Sequence, residues 1–170
     1  MAAKTTTTTP KPVAKAKAQP VAKAKPAVAK PAPATAAGFD GTRLVDLLGV
    51  QATDERLVQI VRELGYTKPL GDNVELRKLG IALVLDDGRL RQIQFEIRRR
   101  WTGHAKYEGV LPYGISSDHA TRDAATTLPG HTPDGPLGDT GWCQWQMPGH
   151  TVSIGFGKKL IETVFVIAKP

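Results

Sequence analysis

Residues 81–97 read Ile-Ala-Leu-Val-Leu-Asp-Asp-Gly-Arg-Leu-Arg-Gln-Ile-Gln-Phe-Glu-Ile. Ile81, Leu83 and Leu85 alternate up to Asp86-Asp87-Gly88, after which Leu90, Ile93, Phe95 and Ile97 resume an apolar pattern. Alternation at a period of two marks a half-buried strand, and Asp-Gly between two such runs marks a tight antiparallel hairpin. Upstream, Val74 to Leu79 alternates weakly, which adds a third strand. Further upstream, Thr53-Asp54-Glu55 supplies a candidate N-cap with acids in the first turn. Leu57, Ile60, Val61 and Leu64 follow at helical spacing, and Gly65 stops the run. The spacing predicts a helix over 54–64. One meander alone would leave its apolar face wet, so helices must cover it.

The same order recurs in the second part of the chain. Gly49-Val50 and Thr53 are matched by Gly114-Ile115 and Asp118, and Gly65-Tyr66-Thr67 by Gly130-His131-Thr132. Between them Ala120, Ala124 and Leu128 form a narrower apolar stripe, with Ser116 or Ser117 as cap and Pro129-Gly130 as stop. Trp142–Met147 then reads as a strand, Val152, Ile154 and Phe156 alternate, Gly157-Lys158-Lys159 turns, and Leu160–Ala168 is a continuous apolar run, with Leu160 in the place of Leu90. The pattern fits an internal duplication, and it equally fits a helix-plus-meander architecture used twice. Either way the predicted class is α+β: an antiparallel β-sheet with helices on one face, in two tandem halves of about 42–100 and 105–170.

Charge settles where this domain begins. Of the 23 Lys and Arg residues, seven lysines fall within residues 1–37, which hold no acid, and the remaining 16 balance the 16 Asp and Glu. Apart from Met1 and Gln19, residues 1–37 are Ala, Lys, Pro, Thr and Val with six prolines, a composition nearly free of large apolar side chains and expected to be disordered. The basic character belongs to this tail, so a basic nucleic-acid-binding domain is not indicated. The tail reads as a solubilising spacer, or as an arm making weak, salt-sensitive, non-specific nucleic-acid contact. The folded domain is placed at 38–170.

Several chemistries find no support in the sequence. The single Cys143 cannot form an internal disulfide and belongs to no zinc-ligand pattern; on a predicted strand it reads as apolar filler. No run approaches the roughly 18–20 apolar residues of a membrane helix, and no secretory apolar stretch is present, so a cytoplasmic location and no membrane partner are expected. His104, His119, His131 and His150 show no helical metal spacing, and Asp118 is adjacent to His119, so the two point apart. Ser116 and Ser117 lack a nucleophile-elbow context, and no glycine loop completes a phosphate-binding pattern. No enzyme activity, cofactor or metal is therefore expected. The rival catalytic reading is a small hydrolase using His119 or His150.

Tyr107-Glu108-Gly109-Val110-Leu111-Pro112-Tyr113-Gly114-Ile115-Ser116, continuing through Ala120 to Leu128-Pro129-Gly130, forms a corner. Pro112 fixes an extended entry and Gly114 permits a sharp turn before the cap. This segment resembles a pattern of bacterial immunity proteins of polymorphic-toxin and type VI secretion systems, over roughly 107–168 and more faintly over the earlier half. It is also similar to the helix-plus-meander repeats of the β-lactamase-inhibitor protein and of outer-membrane assembly lipoproteins. The resemblance implies a small cytoplasmic antitoxin whose partner is a cognate protein toxin.

The residues themselves also point to a protein partner. Trp142 and Trp145, three apart on a strand, face opposite ways, so only one can enter the core of a regular strand. An aromatic on the open face is a favoured anchor for a partner, which Trp101, Tyr107 and Tyr113 can join. Arg98-Arg99-Arg100 beside Trp101 reads as a solvated strand end or a grip on an acidic group. The loop 129–141, with Asp134 and Asp139, is long for a plain connection. It is an idle insertion, or an acidic plug that mimics the anionic substrate of a basic catalytic site. The candidate partner-binding residues are thus Trp101, Tyr107, Tyr113, Asp134, Asp139, Trp142 and Trp145.

Overall fold

The turn at Asp87-Gly88 takes the backbone to φ 49° and 67°, the conformation that a two-residue hairpin with right-handed strand twist demands and that Gly supplies without steric cost. In the computed structural model, which describes residues 38–98, 103–120, 123–124, 127–128, 141–158 and 160–170, this turn joins β2 (Ile81–Asp86) to β3 (Arg89–Glu96). A short edge strand, β1 (Asn73–Leu76), completes the first meander. The second consists of β4 (Gly141–Met147), β5 (His150–Gly157) and β6 (Leu160–Ala168). All neighbours are antiparallel in the order β1-β2-β3-β6-β5-β4, so the two meanders meet along β3 and β6.

The hairpins share an irregularity that explains an odd spacing in the sequence. Val84 pairs with Gln92 but Leu85 with Leu90, leaving Arg91 as an extra residue. Gly155 pairs with Thr163 but Phe156 with Ile161, leaving Glu162 as the extra one. A bulge shifts the alternation by one, which lets Leu90 and Ile93 in one hairpin, and Ile161 and Val164 in the other, all reach the core. The adjoining turn residues Asp87 and Lys158 adopt φ 49° and 51°. The counterpart of Leu90 is therefore Ile161, not Leu160 as the sequence alignment of the halves had it.

Among the described residues two named α-helices lie over one face of the sheet. The first, α1 (Thr42–Val45), is a single turn not foreseen from the sequence; it buries Leu44 and Val45. The second, α2 (Glu55–Glu63), begins at Asp54, whose carboxylate accepts the Arg56 N–H at 2.9 Å. Its Leu57, Ile60 and Val61 pack into one core with Ile81, Leu83, Ile93, Phe95, Val164 and Val166. Each such fully buried side chain contributes roughly 1.5–3 kcal/mol. In the second half, the described helical residues are Asp123, Ala124 and Thr127. They start after Ala120, which bridges to Leu160, so Ser116 and Ser117 are not helix caps and His119 is not in a first turn. Among the described residues no helix is long and apolar enough to cross a membrane.

The corner between the halves is stitched by Tyr107. Its hydroxyl lies 2.8 Å from the Phe39 carbonyl and 3.1 Å from that of Val110, and its ring packs on Phe95 at 4.9 Å. Burial and the charge of Asp40 hold its phenol above the usual range. At 2 % exposure Tyr107 is a core residue and, contrary to the expectation from sequence, presents no surface to a partner.

Candidate functional site

The face turned away from α2 follows from the strand registers, since residues paired across a sheet share a face. One row runs Asn73, Val84, Gln92, Ile167, Thr151, Gln146; the next Glu75, Ala82, Gln94, Phe165, Ser153, Gln144; the third Glu96, Thr163, Gly155, Trp142. None of these positions carries Lys or Arg. The paired rows are amides, hydroxyls and a few apolar groups, with Glu75 balanced by Arg77 at 2.6 Å. The bulge residues Arg91, between the inward-facing Leu90 and Ile93, and Glu162, between the inward-facing Ile161 and Val164, add one charge of each sign to the same side. Glu96 is almost wholly buried; its Oε1 accepts from Gln94 Nε2 at 2.5 Å and its Oε2 from Thr163 Oγ1 at 3.5 Å.

Trp142 and Trp145 divide as their spacing demands. Trp145 is 0 % exposed and Trp142 is 55 % exposed. The Trp142 indole lies over the Cα of Gly155, where any Cβ would stand 2.9 Å from Cη2, and meets the Phe165 ring at 5.4 Å and 42°. The glycine is thus a seat that sets a large aromatic on the sheet surface. Trp145, packed inside, is a core residue and not the partner contact expected from sequence.

Tyr113 lies at the corner preceding Gly114, with φ 62°, a conformation that is uncommon and costly for a residue with a side chain. Its hydroxyl hydrogen-bonds His150 Nε2, and the rings stack at 5.7 Å and 19°. Burial and the nearby Asp46 push the Tyr113 phenol up to about 12. Burial and the charge of Lys169 lower the His150 imidazole, against an opposing backbone hydrogen bond at Pro148. At neutral pH a neutral imidazole therefore accepts from a protonated phenol. The pair is half-buried and ties the corner to the start of β5, so Tyr113 has a structural place there.

The other histidine of the catalytic reading is used locally. Ser116 N–H donates to His119 Nδ1 at 3.2 Å, while Asp123 Oδ2 accepts from the Ala120 N–H at 3.4 Å. A concavity of about 460 Å³ between Ile97, Tyr107, Glu108, Leu111, Ile115 and Ser117 includes neither His119 nor His150 in its lining. Burial pushes the Cys143 thiol up, which keeps it protonated and a weak nucleophile. Trp101, Arg99, Arg100, Asp134, Asp139 and His131, with the tail 1–37, lie outside the described residues.

Of the sequence candidates, Trp142 stands on the exposed face. Its supports, Gly155 and Phe165, were not among them. Gly155 became significant only through its register opposite Trp142, and Phe165 was hidden in the continuous apolar run of β6, which does not reveal which residues face outward. Searches against protein-family models, curated proteins and solved structures returned no match.

Proposed function

We propose that this chain is a non-enzymatic, cytoplasmic binding protein of the immunity class, which neutralises a cognate bacterial toxin by laying the open face of its second meander over the toxin's active site. The observation that carries the reading is Trp142: a half-exposed indole held against Phe165 over a glycine, beside rows rich in amides and hydroxyls. Aromatic anchors in such a setting concentrate binding energy, whereas scattered polar contacts around them mainly exclude water. The partner class comes from the resemblance of residues 107–130 to immunity proteins.

The test is co-expression with candidate toxins taken from the genes neighbouring this chain's own, followed by titration of whichever pair co-purifies. Trp142→Ala is expected to weaken binding by about 30-fold or more, the loss typical of a hot-spot aromatic, and to abolish protection. An unchanged affinity would remove Trp142 from the interface and the reading with it. The rival, nucleic-acid association through the Lys-rich tail, is favoured by the clustering of seven lysines in residues 1–37. Deleting 1–37 separates the two: toxin binding survives under the first reading, and nucleic-acid retention is lost under the second.

A further inference from the structure

The sheet ends in β1 on one side and β4 on the other. Met147 and His150 flank the two-residue turn Pro148-Gly149, so they exchange both hydrogen bonds, and bonded pairs alternate along the ladder from there. The backbone groups of Trp142, Gln144 and Gln146 consequently point away from β5, and among the described residues no backbone group pairs with them. Edges are ordinarily blunted by shortness, charge, Pro or a bulge. β1 has two of these devices: it is four residues long, and Glu75 is ion-paired to Arg77. β4 has none. Its seven residues, Gly-Trp-Cys-Gln-Trp-Gln-Met, are uncharged and contain no Pro.

The geometry points to a two-fold dimer in which β4 pairs antiparallel with β4 of a second copy about Gln144, making one continuous sheet. Symmetric closure favours this occupant, and charge does not oppose it. Across the two-fold no like charges meet, Gln144 faces its own amide, Trp142 stands across from Gln146 of the other copy, and Cys143 lies across from Trp145. The alternative addition of β4 to β1 of a second copy would be heterologous and would propagate as a fibre, and it meets the short edge carrying Glu75. The chain already joins two meanders edge to edge and antiparallel at β3 and β6. This inference is independent of which partner the open face binds.

The test is sedimentation equilibrium of the full chain over a series reaching about 1 mM, the concentration at which even a weak association is populated. The wild type is expected to approach dimer mass. Gln144→Glu sets two carboxylates opposite each other and is expected to lower the association constant at least tenfold with the circular dichroism spectrum unchanged, whereas Gln144→Asn keeps the dimer. Gln144→Cys in a Cys143→Ala background is expected to cross-link between copies on oxidation; this decides the matter should Gln144→Glu fold poorly. A chain that is monomeric throughout, a dimer indifferent to Gln144→Glu, a dimer that fails to cross-link, or an edge taken only by an extended segment of another protein would each overturn the proposal.

Discussion

Asn73 opposite Val84 in the first meander, and Trp142 opposite Gly155 in the second, occupy equivalent places relative to the bulge that each hairpin carries. In the first pair the bulk is on the inner strand and the edge residue is small and polar. In the second the inner side chain has been removed and the edge residue is the largest available. One step along, Glu75 opposite Ala82 corresponds to Gln144 opposite Ser153. The strand pairing of the two meanders therefore corresponds, and their inward edge positions are apolar in both, with Val74 and Leu76 matched by the buried Cys143 and Trp145. The outward positions of the edge strands differ in kind: one meander presents a small, charge-guarded edge, the other an aromatic and an unguarded one. Where two meanders share a pairing register and one edge alone carries an exposed aromatic, that edge is where binding is to be sought.

The two tryptophans offer the sharpest way to break this view. Trp145→Ala empties a fully buried site and is expected to cost about 3–5 kcal/mol. Trp142→Ala, on the other face of the same strand, is expected to change stability by less than about 1 kcal/mol while removing partner binding. Denaturant unfolding of the two variants reads both values. Equal losses would mean that Trp142 is core in all but exposure and that the halves do not differ in purpose.

A smaller effect separates seat from occupant. Gly155→Val rebuilds the inner residue of the first half beneath the indole, and with a Cβ only 2.9 Å from Cη2 the ring must lift, at about 1–3 kcal/mol. Adding Trp142→Asn recreates the whole Asn–Val pair and is expected to recover most of that loss without recovering binding. The recovery, a coupling between neighbours, is measured by a double-mutant cycle. Additive losses would show that Gly155 is not a seat for Trp142.

How much of this was legible beforehand depended on the range of the interaction. The Asp87-Gly88 hairpin, the Asp54 cap and the opposite facing of Trp142 and Trp145 are local, fixed by the chain's own turn chemistry and by period-two geometry. The bulges were not legible, because a one-residue slip leaves composition and spacing almost untouched; aligning Leu90 with Leu160 was the result. The burial of Tyr107 is illegible for a different reason. An aromatic with a hydroxyl suits a wet surface equally well, and only its hydrogen bonds to the Phe39 and Val110 carbonyls make its burial tolerable. The candidate site was half visible: its aromatic could be read, but the glycine and phenylalanine that support it come from two other strands and are assembled by register alone.

The smallest expected effect tests whether the turns, too, were tuned separately. Asp87 and Lys158 share a left-handed backbone at φ 49° and 51°. Asp tolerates that region through local hydrogen bonds from its short side chain, an option Lys lacks. Lys158→Asn should therefore stabilise the chain by roughly 0.5–1 kcal/mol, a fraction of the left-handed penalty. The equivalent exchange Asp87→Asn should be close to neutral, since the residue already present suits the turn. Thermal unfolding of the two single variants distinguishes the cases. A gain at Lys158 alone places the strain in the half that carries Trp142, as expected if its turn was chosen for a surface lysine at the cost of some stability; equal gains would mean that both turns are compromises of the same kind and that the halves diverge only along β1 and β4.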